Sequence, residues 1–370
     1  MRELGERFEE WCRGTTPFAT ATVVGVRGSA PRPPGATMAV SAEGEVLGSV
    51  SGGCVEGALY ELASSLLPDR PAQVATYGIS DDDAFSVGLT CGGILDVLVA
   101  PVTGDDAGLL ADVVRSEKAG EPVALAVVTN GAGRGARLAV WPDRQRGSLG
   151  NERLDSAVAN DVRGMLAQGQ DGTRHYGPEG QRRADDVEVF VQSFAPPPRM
   201  IVFGAIDFAS AVARLGVFLG YRVTVCDARA VFATRERFPE AHEVVCDWPH
   251  RYLAATEVDE RTVICVLTHD PKFDVPVLEL ALRRPAAYIG AMGSRRTHED
   301  RLARLREAGL TDEELARLAS PIGLDIGART PEETAVSIAA DIIRHRWGGT
   351  GLPLTERAGA IHASLERAGA

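Results

Sequence analysis

No apolar run in the 370-residue chain approaches the roughly 18 residues that span a bilayer, so no helical membrane anchor is expected. Cysteine is sparse and scattered. The six residues (12, 54, 91, 226, 246 and 265) include no Cys-x-x-Cys pair, which argues against a zinc site and a disulfide framework. Positive charge is short as well: 39 Lys and Arg stand against 51 Asp and Glu, a formal net charge of −12. Surfaces that track phosphates are basic, so general nucleic-acid or anionic-membrane binding is not expected, and any anion must be held locally. The amino terminus carries too many charges for a signal peptide. Leu4, Phe8 and Trp11 mark an amphipathic helix there, and the expected compartment is the cytoplasm. Apolar content of 45% is ordinary for a globular protein, and the length predicts two or three domains.

What is present centres on Ser49 to Leu59, Ser-Val-Ser-Gly-Gly-Cys-Val-Glu-Gly-Ala-Leu. From Val55, Leu59, Leu62, Leu66 and Leu67 recur at helical spacing until Pro68, so Cys54 falls at the start of a helix. Unpaired amides and the positive end of the helix dipole meet there, which favours an anionic sulfur. Gly52 and Gly53 lack Cβ atoms and let backbone amides approach a bound group. A buried cysteine beside a tight turn fits the same pattern. Val87 to Ala100 repeats the grammar, with Cys91 beside Gly92 and Gly93 at the start of an apolar strand, and the acidic loop Asp81 to Asp83 lies between the two. Strands are expected at 20–26, 37–40, 45–50, 73–77, 123–130, 137–141 and 187–194, with a helix at 154–166. The loop Gly28 to Ala36 is stiffened by three prolines and carries one cation, Arg32.

Pro196-Pro197-Pro198 reads as a linker, and beyond it strands alternate with helices, which implies a parallel sheet covered on both faces. The expected architecture is α/β: an α+β domain over 1–195, then a Rossmann-like doubly wound sheet over 199–350, its sixth strand at Ile322. Gly204 opens a turn where a dinucleotide-binding loop would lie, and Asp227 follows as a ribose partner. Ile206 and Asp207 spoil that loop by placing a branched side chain and a negative charge where pyrophosphate should sit, so tight NAD(P) binding is not expected. Gly293 and Ser294, followed by Arg295 and Arg296, form a better anion site at a helix start; surface arginines paired with Glu299 and Asp300 are the other reading. His269 and Asp270 stand at the end of the fourth strand as acid/base candidates. Thr330 to Glu333 reads as a capping box.

Taken together these stretches resemble the XdhC/CoxI family of accessory factors for molybdenum hydroxylases. The resemblance is carried by Gly28 to Met38, Gly52 to Glu56, Gly88 to Gly93, Tyr288 to Thr297 and Ile322 to Glu333. It implies a chaperone, rather than an enzyme, that transiently binds the molybdenum cofactor (molybdopterin), holds it through sulfuration and inserts it into the apo-enzyme. It further implies Cys54 and Cys91 as thiol contacts and the Gly293 to Thr297 turn as the site of the pterin phosphate. A homodimer enclosing the labile cofactor is expected. Two other readings stand beside this one: an NAD(P)-dependent oxidoreductase, and a scaffold that recruits a cysteine desulfurase and a molybdenum enzyme without holding the cofactor.

Overall fold

The computed structural model describes residues 4–28, 30–67, 70–78 and 93–356; Ser29, Asp81 to Asp83, Cys91 and Gly92 lie outside the described residues. The chain divides into two compact units, Met1–Pro196 and Pro197–Ala370.

The first unit is α+β. It begins with α1 (Gly5–Arg13), β1 (Phe18–Arg27), β2 (Thr37–Ser41), β3 (Val46–Gly48), α2 (Glu56–Leu66), β4 (Gln73–Tyr77) and β5 (Ile94–Val102). It continues with α3 (Gly104–Ala119), β6 (Val123–Asn130), β7 (Arg137–Val140), β8 (Gln145–Gly147), α4 (Glu152–Gln168), β9 (Gly172–Tyr176) and β10 (Val187–Phe194). The order αβββαββ therefore occurs twice. Each copy makes a five-stranded antiparallel sheet of the same topology, β3-β2-β1-β5-β4 and β8-β7-β6-β10-β9.

The repetition extends to single residues. Gly48, Leu59, Ala63, Leu66 and Tyr77 correspond to Gly147, Val158, Val162, Met165 and Tyr176, a constant separation of 99. The strand bulge at Val24 recurs at Thr129. Gly48 and Gly147 both take positive φ, and a Cβ on either would lie 2.4 or 2.3 Å from the carbonyl oxygen of Thr37 or Arg137. A sequence reading alone misses this duplication and also misses α3, whose Leu109, Leu110, Val113 and Val114 are buried.

The second unit contains β11 (Arg199–Phe203), α5 (Asp207–Phe218), β12 (Arg222–Cys226), β13 (Glu243–Val245), α6 (Pro249–Ala255) and β14 (Val263–Val266). After these come α7 (Pro271–Ala281), β15 (Tyr288–Ala291), α8 (Arg295–Glu307), α9 (Asp312–Ala316), β16 (Leu318–Ala319) and α10 (Pro331–Trp347). The six strands are parallel in the order β13-β12-β11-β14-β15-β16. Helices α5 and α10 cover one face through Ala209, Val212, Ile338 and Ile342, while Leu253, Val277, Leu278 and Leu305 pack α6, α7 and α8 on the other. This is a doubly wound Rossmann-type sheet, and each fully buried aliphatic side chain stabilises it by roughly 1.5–3 kcal/mol. The expected sixth strand at Ile322 is corrected to Leu318–Ala319; Ile322 lies just beyond it, its amide donating to the Ala291 carbonyl at 3.0 Å. The capping box is present, with Thr330 and Glu333 satisfying each other's backbone N–H groups at the start of α10.

Candidate cofactor-binding site

Cys54 sits half-buried on the loop between β3 and α2, and the helix starts two residues later. In the second copy α4 starts at Glu152, the counterpart of Gly53, under an Asn151 cap. The first copy has thus unwound the opening turn of its helix. Gly52 and Gly53, with φ of 78° and 122°, make that conformation accessible and set Cys54 on the resulting loop. The loop amides do not wait for a ligand, as the sequence suggested. Glu56 reaches back: one carboxylate oxygen accepts from the Ser49 hydroxyl and the amides of Val50, Ser51 and Gly52, the other from the Ser51 hydroxyl and the amides of Gly53 and Val55. The Cys54 amide donates to Ser51 Oγ at 3.0 Å. Burial alone would push the Glu56 carboxyl up, but hydrogen bonds from Ser51, Ser49 and the backbone outweigh it and hold the group well below the usual carboxylate range. Asp155, the counterpart of Glu56, takes the Leu149 amide in the same way at 2.7 Å.

Other thiols differ. Burial pushes Cys226 and Cys265 up to about 12, so both behave as core residues. Cys91 and Gly92, expected as a second thiol contact and its neighbour, lie outside the described residues.

At the carboxyl edge of the second unit's sheet, Gly204 follows β11 with φ 106°. A Cβ there would lie 3.0 Å from the Thr268 amide nitrogen, so the neighbouring strand end itself requires glycine at this position. Asp227 is buried at the end of β12, and its carboxylate accepts from the Ala205 amide at 2.7 Å and from the amide, Nε and Nη2 of Arg229. Desolvation raises this carboxyl; Arg229 and the Ala205 amide outweigh it and lower it overall. The ribose-binding role expected of Asp227 is thus occupied by internal partners.

Gly293 and Ser294 lead into α8. Ser294 Oγ caps the helix by accepting the Thr297 amide at 3.1 Å. Arg295 and Arg296 are exposed, and no ion pair among the described residues holds either, so pairing with Glu299 or Asp300 is not seen. Beneath them lies Arg301, which the sequence reading passed over. It is buried and donates to Asp274 Oδ2 (2.9 Å), the Met292 carbonyl (2.7 Å) and Ser320 Oγ (3.0 Å), tying together α7, the end of β15 and the chain beyond β16. Desolvation leaves the Asp274 carboxyl raised even against Thr268 and Arg301. An arginine four residues before Leu305, on the inward face of α8, is the signal that could have found it. His269 is exposed, and Asp270 caps α7 by accepting the Lys272 amide. Among the described residues no group of three or more His, Cys, Asp or Glu could hold a metal ion, and no helix is long and apolar enough to cross a membrane.

Residues 200–342 match the XdhC Rossmann domain, and residues 11–78 and 116–177 match the XdhC and CoxI family. The chain belongs to the XdhC and CoxI family. A relative from Bacillus subtilis, named as a probable subunit of xanthine dehydrogenase, is 29% identical over 338 residues, covering 88% of this chain and 92% of its own. The Escherichia coli molybdenum cofactor insertion chaperone PaoD is 28% identical over 321 residues, 87% of this chain and 81% of its own. A Bacillus halodurans crystal structure, described as a xanthine dehydrogenase, aligns with a TM-score of 0.63 at 25% identity over 92% of this chain and 94% of that one. Of the stretches that carry the resemblance, Gly28 to Met38, Gly52 to Glu56, Tyr288 to Thr297 and Ile322 to Glu333 fall inside the matched segments, and Gly88 to Gly93 falls outside them.

Proposed function

We propose that this XdhC/CoxI-family chain is an accessory factor that binds the molybdenum cofactor and delivers it to a molybdenum hydroxylase of the xanthine dehydrogenase or CO dehydrogenase type. The observation that carries the reading is the Cys54 loop, where Glu56 gathers the surrounding amides and sets a half-buried cysteine, a soft ligand group, just ahead of α2. When bound, the cofactor supplies a metal–sulfur centre and a phosphate. In the first unit Cys54, with Cys91 as a second thiol, suits a metal–sulfur centre; in the second unit, taken by itself, the start of α8 with Arg295 and Arg296 suits a phosphate. The name of the relative PaoD supports this assignment. A homodimer is part of the proposal, as is recruitment of a cysteine desulfurase during sulfuration; a single-chain mass by light scattering would remove the former.

Purification under anaerobic conditions, followed by molybdenum and pterin analysis, tests the reading. The wild-type chain should carry both, and Cys54→Ser should melt close to wild type while losing most of its cofactor. Absence of molybdenum and pterin from the wild type, or full retention by Cys54→Ser, would overturn it. Nicotinamide cofactors should bind weakly, because Ile206 and Asp207 stand at the start of α5 and Asp227 is internally bonded. Low-micromolar affinity by calorimetry would favour the oxidoreductase instead.

A further inference from the structure

The first unit contains an opening that its own duplication does not require. Gly35 and Gly135 are equivalent turn residues: each donates its N–H to a strand carbonyl, that of Val23 or Val128, and their φ values are 91° and 90°. Against Gly135 the fold is packed shut, since a Cβ there would lie 2.6 Å from the Ala72 methyl and 3.7 Å from the Ala100 methyl, and both alanines are buried. The counterparts of those alanines are polar. Ala72 and Asp171 each directly precede an equivalent strand, β4 or β9, and Ala100 and Gln192 occupy matched positions opposite Thr20 and Leu125.

At Gly35 the Gln192 side chain fills the equivalent place, since a Cβ there would lie 2.5 Å from its Nε2, and beside it is a cavity of about 350 Å³ whose lining includes Arg32, Pro33, Pro34, Asp171, Gln192 and Phe194. Gln192 Nε2 donates to the Gly35 carbonyl at 2.9 Å, which fixes the amide. Asp171 Oδ1 accepts the Ser193 amide at 2.7 Å. Its carboxylate is reachable from solvent yet hemmed in by protein, which raises it above the usual range, and no ion pair with a described basic residue neutralises it. Since alanines satisfy the fold at the equivalent place, packing alone does not call for this carboxylate or this space.

A pinned carboxylate in a cavity that Pro33, Pro34 and Phe194 also line suits a planar ring that offers two adjacent N–H donors. We propose that the cavity between the Gly35 turn and Asp171 binds a heterocycle with an amino–imino edge, the 2-aminopyrimidin-4-one edge shared by pterins and guanines, with Asp171 accepting both N–H groups. The choice of pterin over guanine rests on the proposed cofactor function; the edge chemistry does not.

The test titrates the full chain with pterin-6-carboxylate, with lumazine-6-carboxylate, which lacks the 2-amino group, and with guanosine monophosphate, followed by equilibrium dialysis. Pterin should bind about tenfold or more tightly than lumazine, and both Asp171→Asn and Asp171→Ala should abolish that preference. Ala is the residue already tolerated at the equivalent position, and a melting temperature for each variant confirms folding. Equal binding of pterin and lumazine by the wild type, or a preference that survives in folded Asp171→Asn, would overturn the proposal. Tighter binding of guanosine monophosphate with the same Asp171 dependence would support the site and assign it to guanine. The two readings fail separately: cofactor retained in full by Asp171→Asn removes this site alone, whereas pterin preference in a chain that never carries molybdenum removes the delivery function alone.

Discussion

Glu56 organises the residue scale. Its carboxylate gathers the donors of an unwound helix turn, so the loop around Cys54 is set before any ligand arrives. Replacing it by Gln leaves one acceptor oxygen and turns an NH₂ group toward backbone N–H donors, which should cost roughly 1–3 kcal/mol by chemical denaturation. The pH dependence has a definite sign. The folded-state carboxyl lies below the 4.5 of a free glutamate, so the stabilisation is fully present above about pH 4.5 and is lost as pH falls below it. Wild type should therefore lose more stability than Glu56→Gln between pH 6 and pH 3, and parallel losses in thermal melts would refute the assignment. Cys54 and its two glycines were legible in the sequence; the destination of the amides was not. Helical spacing identifies a residue in the first turn but does not say that its side chain folds back over the turn, and only the Gly-Gly-Cys-Val-Glu order hints at it.

Among the elements, the parallel sheet was readable because each β-branched run ends in a polar loop and is followed by a helical pattern, as with β14 and α7. Helix α3 escaped because its first turn, Gly-Asp-Asp-Ala-Gly, reads as a loop, although Leu109, Leu110, Val113 and Val114 repeat at helical spacing and Gly120 closes it in the left-handed conformation. The duplication escaped for a different reason: what the copies share is backbone geometry, and few identities beyond Gly48-Ser49 and Gly147-Ser148 record it. That geometry can be tested directly. An alanine at Gly48 or Gly147 must enter a carbonyl oxygen's space at positive φ, so each substitution should cost about 2–3 kcal/mol, and by similar amounts. Gly120→Ala, with a positive φ but open surroundings, should cost only about 1 kcal/mol. A neutral Gly147→Ala beside a damaging Gly48→Ala, measured by denaturant melts, would mean that the two turns are not equivalent.

For the whole molecule, the consequence concerns where stability resides. Residues up to Pro196 form duplicated sheets with their own buried sets, including Leu59, Ala63 and Leu66 in one copy and Val158, Val162 and Met165 in the other, and a set shared by both copies that includes Phe8, Phe18, Leu109 and Trp141. Residues from Pro197 build the doubly wound sheet on Ile201, Val202, Ile264 and Ile289, covered by helices on both faces. Each piece is long enough to bury a core of its own, and the triple-proline stretch at the boundary has no backbone N–H to donate. Fragments 1–196 and 197–370 expressed separately should each unfold cooperatively, with far-ultraviolet circular dichroism showing mixed sheet and helix. Fragment 1–196 contains Asp171, Gln192 and the Gly35 turn, so it should also retain the preference for pterin-6-carboxylate over its lumazine analogue. Fragment 197–370 should bind neither ring selectively, because it lacks Asp171 and Gln192 and the site proposed at Arg295 and Arg296 suits a phosphate. A first fragment that folds cooperatively but has lost the pterin preference would show that the ring site needs residues beyond Pro196, and a fragment without a cooperative transition would show that the core does.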